Sequence, residues 1–272
     1  MSNTIDVKNI DLISFASCPV EMLFRNQIIA HGTGFVWRYN SKPFFITNWH
    51  NLTGKNPLTG DFLSVGGAVP DTIRIHLAKR VPGSTNICRK RSTVDIQLYE
   101  NYCDPFWFQH KNFNELKIDI SAIKLDESVV VGAVCLNEFG YEHLFNHVGT
   151  DVFIVGYPNK DYENDMPPIW KRGALASEPL LEWHGKPAFL IDAASRSGMS
   201  GSPIFRRVFG PATIVESDNT LTTNLKSVMT TDFIGIYSGH LSDMGEQLTI
   251  GIGWSRNLML DIMQNPAQGT RD

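Results

Sequence analysis

Cysteine is scarce in this chain of 272 residues, and its spacing excludes several classes of protein. The four cysteines are Cys18, Cys88, Cys103 and Cys135. They are too few and too widely spaced to form the disulfide framework of a small secreted domain, and no Cys-x-x-Cys metal pair is present. We therefore expect free thiols and an intracellular, cytoplasmic protein.

The sequence also lacks a basic excess and any long apolar run. Its 24 Lys and Arg against 28 Asp and Glu give a net charge of −4, which argues against a general nucleic-acid binder because such proteins need a basic excess. No run approaches the roughly 20 apolar residues that span a bilayer. The first residues lack the basic start and apolar core of a secretory signal. We expect no nucleic-acid partner and no membrane association.

Histidine spacing gives little support for a metal site. His143 and His147 lie four residues apart and could share a helix face. Glu142, however, precedes the first histidine instead of following it, so the pattern of zinc proteases is broken. We predict surface or capping histidines here and no metal ion.

The chain does contain many short apolar or alternating runs separated by turn residues, which is the pattern of β-strands. The ten clearest runs are residues 20–24, 34–37, 44–47, 72–77, 94–98, 118–125, 152–155, 188–191, 233–237 and 248–254. They predict an all-β protein built from barrels or sandwiches. Only residues 255–264 have helical spacing, and the polar tail at 265–272 is expected to fray.

The strand-like runs fall into two halves. Residues 126–149 carry no clear strand pattern, so we place a boundary near residue 140, between domains of residues 1–140 and 141–272. Two polar segments, residues 53–70 and 208–229, are predicted as long loops, which in compact β proteins are often functional or mobile.

Residues 198–203 carry the strongest chemical signal, with the sequence Gly-Met-Ser-Gly-Ser-Pro. Ser200 has a glycine two residues before it and another directly after it. The backbone can therefore turn sharply and present the hydroxyl, while nearby amides stay free to bind an oxyanion. Taken alone, the segment is more typical of a tight turn entering a strand.

Two other segments place acid–base residues at the end or in the middle of apolar strands. His50 follows the apolar run at residues 44–49, and the packed strand would fix its ring as a general base. Asp119 interrupts the alternation of residues 117–125 where a core residue is expected. A buried carboxylate is costly unless it is paired, and a histidine N–H is one suitable partner.

In the order His50, Asp119, Ser200, these segments resemble the chymotrypsin-fold serine proteases, and among them the bacterial trypsin-like peptidases and high-temperature-requirement proteases. The motifs that carry the resemblance are Gly-Thr-Gly-Phe at 32–35, Thr-Asn-Trp-His at 47–50, Asp-Ile-Ser-Ala at 119–122, Gly-Tyr-Pro at 156–158 and Gly-x-Ser-Gly-x-Pro at 198–203. The resemblance implies two six-stranded antiparallel β-barrels, the first carrying His50 and Asp119 and the second Ser200, followed by a C-terminal helix.

The resemblance also implies a serine endopeptidase acting on protein or peptide substrates. His50 would accept the proton of Ser200 as it attacks, and Asp119 would orient the histidine ring. The backbone N–H groups of Gly198 and Ser200 would form the oxyanion hole. No metal or organic cofactor is implied.

Two positions depart from the digestive enzymes of this family. Met199 stands where they have an aspartate that pairs with a newly cut N-terminus, so we do not expect activation by that route. Ser202 replaces the second glycine of the usual Gly-Gly-Pro, a change that related bacterial enzymes tolerate. Since few residues follow residue 262, a PDZ-like extension is not expected either.

The resemblance predicts the substrate contacts as well. The predicted substrate-binding residues are Ala194, Ser195, Ser238, Gly239 and His240. Ala194 stands where a preference for Arg or Lys would need an acid, so that preference is not expected. The backbone of Ser238 and Gly239 would pair with an extended substrate. His240 and Ser195 would favour an acidic side chain, and a small or medium apolar side chain is the alternative.

Two other functions remain open. A catalytically silent binding module with the same fold is one, although the complete set of His50, Asp119 and Ser200 weighs against it. An ester hydrolase is the other, but Ser202 breaks the Gly-x-Ser-x-Gly elbow of that class. Because an intracellular protease must be restrained, we expect regulation through substrate access or residues 208–229, with a regulatory protein partner as one route.

Overall fold

The regular structure of the chain is mostly β-strand, as predicted, and among the described residues only one helix is longer than five residues. The computed structural model describes residues 3–8, 10–101, 103–158, 165–194, 196–225, 229–243 and 246–270. The α-helices are α1 (Ile13–Ala16), α2 (Trp49–Thr53), α3 (Phe113–Leu116), α4 (Glu127–Val130) and α5 (Arg256–Gln264), and a 3-10 turn covers Leu136–Glu138.

The strands lie along the whole chain and pair antiparallel. In chain order they are β1 (Thr4–Ile5), β2 (Ser17–Phe24), β3 (Gln27–Tyr39), β4 (Lys42–Thr47), β5 (Thr72–Leu77), β6 (Ile87–Cys88), β7 (Ser92–Gln97), β8 (Tyr99–Glu100), β9 (Asp104–Pro105), β10 (Trp107–Gln109), β11 (Ser121–Lys124), β12 (Asp151–Gly156), β13 (Ile169–Leu175), β14 (Ala188–Asp192), β15 (Pro203–Phe209), β16 (Ala212–Val215), β17 (Leu221–Asn224), β18 (Met229–Asp243), β19 (Glu246–Ser255) and β20 (Ala267–Gln268). All ten predicted runs overlap with strands of this set.

The second half of the chain contains a closed six-stranded barrel, as the resemblance implied. Its strand order is β12, β13, β14, β19, β18 and β15, with β15 pairing back onto β12. Strand β13 was not predicted, because its sequence mixes Lys171 and Arg172 with apolar residues and lacks a clear alternation. Gly173 allows it to approach β14, since a Cβ at this position would lie 2.7 Å from the Cβ of Ala193.

The first half differs from the expected six-stranded barrel. Seven of its strands join β20, which lies near the end of the second half, in an eight-stranded sheet with the order β20, β10, β11, β4, β3, β2, β5 and β7. Between β7 and β10 the chain leaves this sheet to form the small β8–β9 hairpin. The outer edge of β10 is then taken by β20, with Phe108 opposite Gln268. The tail is therefore a strand over Ala267–Gln268 where fraying was expected.

Turn chemistry explains the tight hairpins of the sheet. Asn40 and Ser41 connect β3 to β4 with φ values of 47° and 63°. Arg25 and Asn26 connect β2 to β3 with φ values of 50° and 63°. Two-residue turns with positive φ at both positions match the right-handed twist of antiparallel strands, and asparagine tolerates this conformation.

One apolar cluster joins the sheet to the barrel. Phe35 and Ile120 from the first half pack with Phe205 and Phe233 from the barrel, and the rings of Phe35 and Phe233 meet edge to face at 5.6 Å. Helix α5 closes this cluster with its buried side chains, which are Leu258, Met259, Ile262 and Met263. Ser255 caps the helix by accepting a hydrogen bond from the N–H of Asn257 at 3.4 Å. The structure has a helix at Arg256–Gln264, one residue later than the start of the predicted helix at 255–264.

The two segments predicted as loops differ from each other. Residues 53–70 are mostly irregular, with one isolated bridge between Lys55 and Phe62. In the other segment, β16 and β17 form a hairpin that pairs with residues 143–145, where the N–H of Val215 donates to the carbonyl of His143 at 2.7 Å. The β-branched residues Thr213, Ile214 and Val215, which favour strands, were a usable signal for this hairpin.

Candidate active site

His50 lies on the short helix α2, which begins as β4 ends. The preceding residue, Trp49, is buried, and its indole N–H donates to the side chain of Gln109 at 3.0 Å. The Trp49 ring also stacks on Phe113 at 4.6 Å. The helix is therefore held against the sheet, and the side chain of His50, which is 15% exposed, faces the cleft from a fixed backbone.

Asp119 is buried beside His50 and accepts hydrogen bonds from several directions. Its Oδ1 accepts the backbone N–H of His50 at 2.9 Å, and its Oδ2 lies 2.6 Å from the ring Nδ1 of His50. The hydroxyl of Ser238 also donates to Oδ2. The side-chain amide of Asn48 donates to the backbone carbonyl of Asp119 at 2.6 Å. The three contacts from His50 and Ser238 compensate the burial of the carboxylate, and the Asn48 bond holds the backbone of Asp119.

Ser200 lies in a loop that two glycines with positive φ make possible. The φ values are 96° at Gly198 and 87° at Gly201. A Cβ at Gly201 would lie 2.0 Å from the carbonyl oxygen of Thr33, so only glycine fits there. The carbonyl of Ser200 accepts the N–H of Thr33 at 2.8 Å and the side chain of Asn51 at 3.2 Å. The residues of the first half thus hold the Ser200 loop of the barrel in place.

Among the described residues, three hydrogen-bond donors of the Ser200 loop are weakly paired or unpaired. Its hydroxyl donates to the carbonyl of Ser238 at 3.4 Å. Among the described residues it makes no hydrogen bond to His50, although both side chains line one cavity of about 260 Å³. Within the same described ranges, the backbone N–H groups of Gly198 and Ser200 have no hydrogen-bond acceptor.

His50 stands between two cavities. The smaller one contains Gly198 and Ser200 and is bounded by residues 29–31. The larger one, of about 470 Å³, contains Asp119 and Ser238 and is bounded by the turn at residues 183–186. Leu63, from the irregular segment at 53–70, lines both cavities. An extended chain that crosses the site would pass from one cavity to the other in front of His50.

The predicted substrate-binding residues are placed differently from one another. Ser238, Gly239 and His240 line the larger cavity. Ala194 is exposed and lines neither cavity. Ser195 lies outside the described residues.

The two departures from the digestive enzymes are both buried. Met199 packs in the apolar core of the barrel with Ile204 and Tyr237. Ser202 is fully buried against Gly156, where a Cβ would come within 1.9 Å of the Ser202 hydroxyl oxygen. The glycine at 156 therefore makes the space that the serine occupies.

Sequence reasoning missed several groups that support the site. The hydrogen bond from Ser238 to Asp119 joins residues that are 119 positions apart, so no local pattern reveals it. Asn48 lies inside the Thr-Asn-x-His motif, which was a usable signal. Asn51 directly follows His50 and ties it to the Ser200 loop, again without a sequence pattern.

A metal centre receives no support from the described side chains. Within the described ranges, no group of three or more His, Cys, Asp or Glu residues could hold a metal ion. His143 instead contacts Arg256, and burial together with that arginine lowers its pKa. Among the same residues, none of the helices has the length and apolar character needed to cross a bilayer.

Comparison with known families agrees with this geometry. The family profile described as "Trypsin-like peptidase domain" matches residues 32–208, which include His50, Asp119 and Ser200. The chain belongs to the trypsin-like peptidase family. A comparison of the sequence with curated proteins finds no match.

Solved structures are similar to this trypsin-like peptidase chain at low sequence identity. Deg5 is 14% identical with a TM-score of 0.50, and the alignment covers 93% of this chain and 90% of Deg5. The serine endoprotease from Yersinia pestis is 14% identical with a TM-score of 0.48, and the alignment covers 92% of this chain and 62% of that one. The chain thus spans about three fifths of the Yersinia protein. The similarity to Deg5 supports the fold.

Proposed function

We propose that the chain is a serine endopeptidase that cleaves protein or peptide bonds through Ser200, His50 and Asp119. The observation that carries this proposal is the double contact of His50 with the buried Asp119, at the edge of a cavity that also contains Ser200. A histidine held by a carboxylate beside a serine in a glycine loop is the arrangement of nucleophilic acyl transfer.

The proposed reaction has two halves. The Oγ of Ser200 attacks the substrate carbonyl carbon while Nε2 of His50 takes the hydroxyl proton. His50 then gives this proton to the leaving amine, and the acyl group remains bonded to Oγ. Water attacks the acyl-enzyme with His50 again as the base, which releases the acid and restores Ser200.

The oxyanion of each tetrahedral intermediate would be stabilised by backbone amides. The N–H groups of Gly198 and Ser200 have no acceptor among the residues described, and both residues line the smaller cavity. Donors that are already in place need no reorganisation when charge develops, which is the main advantage of such sites.

A catalytically silent binding module is the second candidate. The observation in its favour is that the Ser200 hydroxyl donates to the carbonyl of Ser238 at 3.4 Å instead of to His50. This bond is long, however, and rotation about χ1 of Ser200 breaks it. Catalytic hydrogen bonds often tighten only when substrate binds, so we favour the enzyme.

Labelling with a fluorophosphonate probe separates the two candidates. The probe reacts with a serine hydroxyl only when a neighbouring base activates it. We expect labelling of the wild-type protein and none of Ser200→Ala. Folded wild-type protein that takes up no label would exclude the endopeptidase and leave the binding module.

Location, regulation and domain division are further proposals. We infer a cytoplasmic location, supported by four free cysteines, since oxidising compartments favour disulfides. Subcellular fractionation of cells expressing the tagged chain tests it. We also propose that a protein partner or residues 208–229 control the activity. We further propose a domain boundary near residue 140, and limited proteolysis tests this boundary.

A further inference from the structure

The larger cavity beside His50 has an apolar floor and a polar rim. Its floor is formed by Ala188, Ile252 and Trp254 of the barrel. Ser238 and Gly239 form one side, where their strand β18 extends past Pro203, the first residue of β15. A substrate paired with this strand would direct alternate side chains into the cavity.

Two lysines on separate elements line this cavity, and both have fixed backbones. Lys117 ends helix α3 with a φ of 54°, and its Nζ lies 5.4 Å from the ring centre of the buried Phe113. Lys186 closes a tight turn with Trp183 through two backbone hydrogen bonds of 2.9 Å and 3.1 Å. The rigid backbones reduce the entropy lost when a ligand is bound.

The charge of these lysines is not balanced within the cavity. Within the described ranges, neither Lys117 nor Lys186 forms an ion pair. Asp119 is the one acid among the lining residues described, and it already binds His50 and Ser238. Burial and the nearby charge of Lys117 lower the pKa of Lys186, as two unneutralised ammonium groups require.

Neighbouring acidic residues do not neutralise the charge of the two lysines. Glu115 and Glu182 are close to the lysines in sequence, but both are exposed and neither lines the cavity. His184 and His240 add further hydrogen-bonding groups to the rim. The cavity is therefore a positively charged, partly apolar space beside the proposed nucleophile.

We propose that this cavity is a substrate subsite for an Asp or Glu side chain, whose carboxylate Lys117 and Lys186 bind. The inference rests on the proposed peptidase function and names the class of peptide that the enzyme selects. A carboxylate accepts hydrogen bonds only, so it suits a pair of ammonium donors. An aliphatic side chain two residues away in the same peptide would rest on the floor formed by Ile252 and Trp254.

Peptide selection by an inactive variant tests this subsite without requiring turnover. Ser200→Ala protein is immobilised and incubated with a randomised peptide library, and the retained peptides are sequenced. We expect enrichment of Asp and Glu over Asn and Gln by about fivefold at one position, the effect of a partly exposed ion pair. Adding Lys117→Met and Lys186→Met should abolish this enrichment.

A matched control removes two lysines elsewhere. Lys42 and Lys124 are exposed on the first sheet and line neither cavity, so Lys42→Met with Lys124→Met should leave the enrichment intact. The double change Lys117→Glu with Lys186→Glu should shift selection towards Lys and Arg, which a misfolded protein cannot do. No enrichment of acids, or enrichment that survives loss of both cavity lysines, overturns the proposal.

Failure of this proposal differs from failure of the proposed function. A wild-type protein that takes up the fluorophosphonate label while Ser200→Ala selects no acidic peptide is a peptidase without this subsite. A protein that selects acidic peptides without labelling is a binding module in which the subsite remains.

Discussion

His50 and Asp119 are joined twice, because the backbone N–H and the ring Nδ1 of the histidine contact different oxygens of one carboxylate, at 2.9 Å and 2.6 Å. The first contact fixes the position of helix α2, and the second fixes the rotation of the ring. With Nδ1 protonated and facing Asp119, Nε2 is left as the acceptor on the opposite side of the ring. This is the tautomer that a general base for Ser200 needs.

Asp119→Asn should keep His50 in position but no longer favour the tautomer of its ring in which Nδ1 carries the proton. The amide oxygen still accepts the backbone N–H, but the amide NH₂ at the ring would donate to Nδ1 and so favour the wrong tautomer. We expect kcat/KM for peptide cleavage to fall by about 10⁴-fold with an unchanged circular dichroism spectrum. A loss below about tenfold would mean that Asp119 serves only the fold.

The close contact between Ser202 and Gly156 predicts that Gly156→Ala lowers the stability of the fold and that Ser202→Gly partly restores it. In Gly156→Ala the new Cβ would overlap the Ser202 hydroxyl at 1.9 Å and approach Thr33 Oγ1 at 2.9 Å. We expect a loss of about 1–3 kcal/mol in the free energy of unfolding, measured with urea. Adding Ser202→Gly should restore part of it, since the Thr33 contact remains.

Gly66→Ala is the matched control for that experiment. A Cβ at Gly66 meets no atom within 4 Å, and its φ is not positive. Its unfolding curve should overlap that of the wild type within error. If Gly156→Ala did the same, the buried contact with Ser202 would not limit the packing at this position.

The sequence was informative where local pattern determines structure. Apolar alternation located ten strands, and the order of His50, Asp119 and Ser200 predicted three segments that the structure places around one cleft. Each of the three lies next to the end of an apolar strand. Strand packing fixes such ends, so a motif there predicts position as well as chemistry.

Contacts between distant segments explain what the sequence could not provide. The edge of β10 could have paired with several strands, and its actual partner is the tail at residues 267–268. Lys117 and Lys186 are 69 positions apart (186 − 117), yet they line one cavity. Neither arrangement leaves a periodic signal, since both depend on how the sheet and the barrel pack together.

His76 predicts that the protein loses stability in mild acid. Its ring is buried beside Thr93, and burial lowers its pKa below the ordinary 6.5 even though the Glu21 carboxylate opposes this shift. The unfolded chain therefore binds a proton at a pH where the folded chain does not. The contribution of His76 is present above about pH 6.5 and decreases as the pH falls below it.

His76→Gln should accordingly flatten the dependence of Tm on pH. We expect a smaller drop in Tm between about pH 7.5 and about pH 5.5 than in the wild type, even if the variant is less stable at the higher pH. The drop should not vanish, because burial also lowers the pKa of His110 and His143. His184→Gln, at an exposed turn, is the control, and an identical profile for both variants would exclude His76 as the cause.

The β16–β17 hairpin can be removed without changing the register of the barrel, because Phe209 and Met229 are direct partners across β15 and β18. Replacing residues 210–228 with Asn-Gly would close the two strands with a tight turn. If this segment restrains the enzyme, kcat/KM for peptide substrates should rise by about fivefold or more, a typical coupling between sites. Equal cleavage by both proteins, with the same Tm, would show that the hairpin has no regulatory role and leave substrate access or a partner protein as the source of control.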